Sequence, residues 1–139
     1  MKIFFQEKDF KYNKELDLFS KKNKKAGSIV SFLGKVRPKN NNKKLKYMEI
    51  ECYKKMASFQ TRKIVDSFLD EDNFIDYKII HRFGKLLPTD NIVLILVASK
   101  HRKIGFDFIE TLLIWFKSKI TFWKKEVYFG SYAWLQKQK

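Results

Sequence analysis

Residues 99–126 read SKHRKIGFDFIETLLIWFKSKITFWKKE, and the rest of the chain is organised around this stretch. It follows an uninterrupted apolar run from Ile92 to Ala98, of the kind found in a central strand. It opens on His101-Arg102 and continues with Ile104, Phe108, Ile109, Leu112, Trp115 and Phe116 at helical spacing. It closes on Trp123-Lys124-Lys125-Glu126. Cationic groups therefore bracket a helix at both ends. A helix start offers free N–H groups and a positive dipole end, and Arg and Lys add full charge, which suits an anionic ligand.

Working outward, Gly84 to Asn91 is a turn region containing Pro88, preceded by strand character from Phe74 to Phe83. Lys54 to Leu69 has helical spacing, with Met56, Phe59 or Gln60, Ile64, Val65 and Phe68 along one stripe, and the acids Asp70, Glu71 and Asp72 end it. Leu45 to Tyr53 alternates as a half-buried strand, Tyr47, Glu49, Glu51 and Tyr53 on one face, Met48, Ile50 and Cys52 on the apolar other. Pro38 to Lys46, rich in turn formers and charge, reads as a mobile loop after a strand from Ser28 to Leu33. Nearer the start, Lys2 to Phe5 reads as an edge strand, and Asn13 caps a short helix through Ser20. Past the central stretch, Gly130 marks a late turn, and Trp134 with Leu135 anchors the C-terminus. Strands and helices mixed without strict alternation point to a single α+β domain over residues 1–139.

Composition narrows the class. The 139 residues are 45% hydrophobic and 17% aromatic, enough for a packed core without staples. No run of roughly 18 apolar residues is present, and the first residues acquire acids too early for a secretory signal, so a cytoplasmic protein is expected. Cys52 is the single cysteine, which excludes an internal disulfide and a cysteine-cluster metal site. It falls on an apolar strand face with no His near it in sequence, so a buried structural thiol is favoured over a nucleophile. The net charge of +15 invites a nucleic-acid reading, discounted in part because Lys, Asn, Ile and Phe are in excess together, as in proteins written in A/T-rich codons.

Five segments carry a further signal: Phe32-Leu33-Gly34-Lys35-Val36-Arg37, Glu51-Cys52-Tyr53-Lys54-Lys55-Met56-Ala57, His81-Arg82-Phe83-Gly84, Ser99-Lys100-His101-Arg102 and Phe122-Trp123-Lys124-Lys125-Glu126. In order and spacing they resemble the large, catalytic subunit of molybdopterin synthase, the MoaE family. The resemblance implies an α/β-hammerhead fold with mixed and antiparallel strands and two to three helices. It also implies a sulfurtransferase of molybdenum cofactor biosynthesis, working as a homodimer within a heterotetramer. The sulfur donor would be a small MoaD-like, ubiquitin-like subunit with a C-terminal Gly-Gly thiocarboxylate, and the acceptor cyclic pyranopterin monophosphate. The family needs no metal or resident cofactor of its own.

By the same resemblance Lys117 and Lys124 are the catalytic residues, and Lys35, Val36, Arg37, His101, Arg102, Lys125 and Glu126 bind substrate. Residue chemistry gives each a plainer alternative. Arg37, where a strand runs out into a loop, can grip phosphate through its planar fork or sit solvated beside a turn. His101-Arg102 sets positive charge against a helix dipole, a small penalty that a bound anion would explain. Lys117 complements the dipole near a helix end, and as a proton-transfer group it needs a depressed pKa, part of which neighbours such as Lys119 and Lys124 can supply. Glu126 orients the lysines by ion pairing or forms a surface pair. His81-Arg82 lies within a strand and reads as structural.

Where the family has a proline just before the aromatic-Trp-Lys motif, this chain has Ile120-Thr121, so that rigid turn is missing. A continuous helix from Arg102 to Lys117 separates its ends by about 22 Å at ~1.5 Å per residue. One compact ligand hardly reaches both ends of one copy, and a symmetric dimer that sets His101 and Arg102 of one copy beside Lys117 and Lys124 of the other would solve this. The competing function is a basic RNA-binding module with Phe122 and Trp123 as stacking groups, which accounts for the charge but not for five segments in register.

Overall fold

The computed structural model describes residues 2–120 and 122–135. Its first half runs β1 (Ile3–Gln6), α1 (Tyr12–Lys22), β2 (Ser28–Lys35), β3 (Lys39–Asn40), β4 (Lys43–Cys52) and α2 (Lys54–Leu69). The second half runs β5 (Phe74–Arg82), β6 (Gly84–Leu86), β7 (Asn91–Ser99), α3 (Arg102–Ser118), β8 (Phe122–Tyr128) and β9 (Ser131–Trp134).

The strands form two sheets in an α+β arrangement. In the first, ordered β1-β5-β7-β2, β7 lies between two antiparallel neighbours and β1 closes the edge parallel to β5. The unbroken apolar run in β7 follows from burial on both faces. Val93, Ile95 and Val97 join the core under α2 and α3, while Leu94, Leu96 and Ala98 pack toward α1 with Phe10 and Phe19. Helix α3 lies tight against this sheet at Gly105, where an added Cβ would stand 3.0 Å from Val30 Cγ2. In the second sheet β4 pairs with β3, β6 and β8, and β9 adds to β8.

Several local expectations change. The Pro38 to Lys46 segment is a hairpin, not a loop: β3 turns into β4 through Asn41 (φ 51°) and Asn42 (φ 64°). Asn tolerates the left-handed region, and two such residues make the tight turn that suits strand twist. Asn13 lies inside α1 instead of capping it, since the helix starts at Tyr12 after Lys11. The buried stripe of α2 is Ala57, Thr61, Ile64 and Val65, which leaves Met56 and Phe59 exposed. Within the turn region after β5 lies the short strand β6. Trp134 and Leu135 are exposed, so backbone pairing holds the C-terminal strand in place of burial. Among the described residues no helix is long and apolar enough to cross a membrane.

Candidate active site

β8 was not legible as a strand, yet it organises the site. Alternation along FWKKEVY buries Phe122, Glu126 and Tyr128 and keeps Lys124 on their face, while Trp123 and Lys125 point to the other. On the inner face Phe122, Lys124 and Glu126 lie opposite Cys52, Ile50 and Met48 of β4. The two adjacent lysines of the motif are thus divided by the sheet. Lys125 lies opposite Glu49 and covers the rings of Tyr132 (4.5 Å) and Trp134 (5.5 Å), away from Lys124.

Lys124 meets the last turn of α3. Burial, and then the positive charge of Lys117, push its ammonium below the ordinary lysine range. Lys117 itself is exposed and lines a groove of about 520 Å³ along α3, whose apolar wall includes Phe106, Ile109, Leu113 and Ile114. Both Phe106 and Ile114 are more than half exposed. Residues of this groove carry no polar motif, and their signal in the sequence was the apolar excess on a helix that already had a buried stripe.

The other predicted residues divide between two places. Arg37 is exposed just past β2, and its charge reaches Tyr128 on β8. That phenol is held above its usual range by burial and by the Glu126 carboxylate to which it donates, with Arg37 opposing. Lys35 is exposed at the end of β2, and Val36 is buried, its backbone bonded to Asp90 and Thr89 at 2.8 and 2.9 Å. Strand β8 therefore links these groups, with Lys117 acting on Lys124 and Arg37 on Tyr128, the partner of Glu126. His101 and Arg102 do not join them: they are exposed at the start of the continuous helix α3, with Ser99 Oγ donating to the His101 carbonyl at 2.6 Å.

Two expectations about single residues are corrected or sharpened. Among the described residues Glu126 pairs with no lysine. Its buried carboxylate accepts from Tyr128 Oη at 2.5 Å and from Asn40 Nδ2 at 3.5 Å, because Lys124 and Glu126 are successive inner-face residues with Asn40 and Tyr128 closer to hand. Asn40 and Tyr128 were missed; period-two reading of β8 would have found Tyr128, whereas nothing local pointed to Asn40. Cys52 is half-buried, and burial raises its thiol to about 11 against the lowering effect of Lys54, so it is protonated and inert as a nucleophile at neutral pH.

Arg82 is structural as read, buried with Nε donating to the Glu7 carbonyl (3.1 Å) and Nη1 to that of Asn91 (3.0 Å).

A lysine with a depressed proton affinity, beside a second lysine that lines an apolar groove, is equipped to bind an anionic group and gives up its proton more readily than an ordinary lysine. Fold and site thus define an α+β domain whose paired lysines suit an anionic reactant. The comparisons with known proteins narrow this. The family model described as MoaE protein matches residues 5–119. A molybdopterin synthase catalytic subunit from Ralstonia nicotianae is 39% identical over 89% of this chain and 70% of its own length. The crystal structure of molybdopterin synthase from Staphylococcus aureus superposes with a TM-score of 0.83 at 28% identity, covering 96% of each chain. A complex of subunits 1 and 2 of molybdopterin-converting factor from Helicobacter pylori shares the fold, with a TM-score of 0.81 at 18% identity over 98% of this chain and 91% of that one. The chain belongs to the MoaE family, and its role is that of a molybdopterin synthase catalytic subunit, a sulfurtransferase of molybdenum cofactor biosynthesis.

Proposed function

We propose that this chain, acting as one domain over residues 1–139 in the cytoplasm, transfers sulfur from the C-terminal Gly-Gly thiocarboxylate of a small MoaD-like subunit to cyclic pyranopterin monophosphate. Two transfers build the dithiolene of molybdopterin, and at each one a carboxylate replaces the thiocarboxylate on the donor. The observation that carries this reading is the pairing of Lys124, half-buried, with the charge of Lys117, which itself lines a groove along α3 able to receive an extended tail. The two ammonium groups stabilise the charge that develops on the donor's acyl group and move protons as the sulfur leaves. A complex of the two subunit types in a protein of this fold supports the partner.

Arg37 binds the phosphate, with Lys35 beside it and the buried Val36 fixing the backbone between them. Glu126 contributes through Tyr128 and Asn40, which hold the β3–β4 hairpin next to Arg37. Lys125 shapes the opposite face of β8. His101 and Arg102 come from a second copy, since about 22 Å of helix at ~1.5 Å per residue separates Arg102 from Lys117 in one chain. The resulting homodimer with two small subunits is a heterotetramer.

The direct test is conversion of the precursor to molybdopterin by the purified chain plus a thiocarboxylated small subunit, beside Lys117→Ala. Product from the wild type and little from the variant is expected; equal yields from both would remove Lys117 from the mechanism. Co-expression of Lys117→Ala with Arg102→Ala tests the shared site. Random pairing restores activity to about a quarter of the sites if the residues act across a dimer, and to none if they act within one chain.

A further inference from the structure

The buried imidazole of His81 has no part in the chemistry above, yet it touches the supports of both lysines. Its ring stacks on Phe122, centroids 4.3 Å apart and planes 18° apart, and meets Phe116 edge-on at 5.2 Å. Phe116 immediately precedes Lys117. Phe122 stands two residues before Lys124 on the same inner face of β8. Phe116 and Phe122 are themselves 5.9 Å apart, and Phe5 lies 5.9 Å from Phe122, so an aromatic cage surrounds the imidazole.

No proline stiffens the passage from α3 to β8, so its geometry depends on packing. The N–H groups of Lys119 and Ile120 both donate to the Trp115 carbonyl at 2.8 Å, and Ile120 is fully buried. These bonds fix the end of α3, while the start of β8 is held by its pairing with β4 at Cys52 and by the rings around Phe122, of which His81 is stacked nearest, with Phe116 and Phe5 farther off.

We infer that His81 is a positioning residue for the Lys117–Lys124 pair: its ring, packed against both Phe116 and Phe122, sets the separation and aim of the two ammonium groups. The inference rests on the roles proposed for those lysines. A histidine suits the place because Nδ1 meets the Arg82 carbonyl at 2.8 Å, which a donating N–H satisfies, while the flat ring still packs as an aromatic. Burial, and then the charge of Lys124, hold the imidazole down to about 3, so it adds no third positive charge beside the two lysines.

The experiment compares wild type, His81→Phe, His81→Leu, His81→Ala and Lys124→Ala in the reconstituted sulfur-transfer assay, at a temperature where circular dichroism shows each protein folded. Phe keeps a flat ring in the cage, Leu keeps volume without stacking, and Ala removes both. With Ala and Leu kcat is expected to fall roughly ten- to hundredfold, as for a reacting group displaced by a fraction of an ångström to one ångström, while KM for the small subunit changes less than about twofold. His81→Phe is expected to recover most of the rate. A wild-type kcat for folded His81→Leu or His81→Ala overturns the inference, and so does a His81→Phe rate as low as that of Leu. Should Ala fail to fold, the Phe and Leu pair decides alone. If Lys124→Ala keeps the wild-type rate, the lysine mechanism itself falls and the inference with it. If Lys124→Ala is inactive while the His81 variants are normal, only the inference falls.

Discussion

Tyr128 Oη donates a 2.5 Å hydrogen bond to Glu126 Oε2, and both side chains are buried on the inner face of β8. Asn40 Nδ2 adds bonds to the same two groups, 3.2 Å to Tyr128 and 3.5 Å to Glu126. A buried carboxylate that loses its main donor bears the cost of desolvation without compensation. Tyr128→Phe should therefore destabilise the fold by about 1–3 kcal/mol, read as a lowered midpoint in thermal or urea unfolding. Because the β3–β4 hairpin is tied through this cluster, the same variant should raise KM for the precursor more than it lowers kcat.

Lys117 and Lys124 repel, and that repulsion adds to the effect of burial in keeping Lys124 easy to deprotonate. Removing the like charge favours the ammonium form, so Lys117→Gln should raise the pKa of Lys124. The residual rate of that variant, followed from pH 6 to 10, should show the limb that reports Lys124 displaced to higher pH than in wild type. A limb at the same pH would mean that the titrating group is not Lys124.

His81 should make the fold sensitive to acid. Its folded-state value, pushed from 6.5 to about 3, lies below that of the unfolded chain, so the unfolded state binds the extra proton between these limits. The stability due to its neutral form is complete above pH 6.5 and is lost as pH falls toward 3. His81→Phe removes this dependence. Urea titrations at pH 7, 5.5 and 4.5 should show the wild type losing more stability than the variant at each step, and parallel losses would refute the assignment.

Ile114 is 57% exposed in the wall of the α3 groove. A charge there costs the isolated fold little, since exposed helix positions tolerate polar residues. Ile114→Glu should unfold within a few degrees of wild type, about what a surface substitution allows, yet bind the small subunit or its isolated C-terminal peptide more weakly by calorimetry. Unchanged affinity would move the tail to another path.

The asymmetry between Lys124 and Lys125 marks the boundary between sequence and structure. Side by side in the chain, they are the same residue type, and only the family resemblance gives them different roles. Only the strand state of residues 122–128 sends one inward to Lys117 and the other outward to Tyr132 and Trp134. A short segment with two lysines and a glutamate lacks the apolar alternation that announces a strand, and its pairing with β4 is a long-range event that local propensity does not encode.

The sequence by itself determined the mixed α+β class, the central strand β7, the span of α2 and the helix that carries Lys117. In each case an apolar period sustained over many residues has one solution that hides it from water. It also determined that Arg102 and Lys117 stand far apart, because helical rise per residue is constant. The tertiary structure alone decided the Asn41–Asn42 hairpin, the Glu126–Tyr128–Asn40 cluster and the packing of His81 against Phe116 and Phe122. The last two join residues distant in the chain whose chemistry depends on burial and partners, and neither burial nor partners exist until the sheets and helices have packed together.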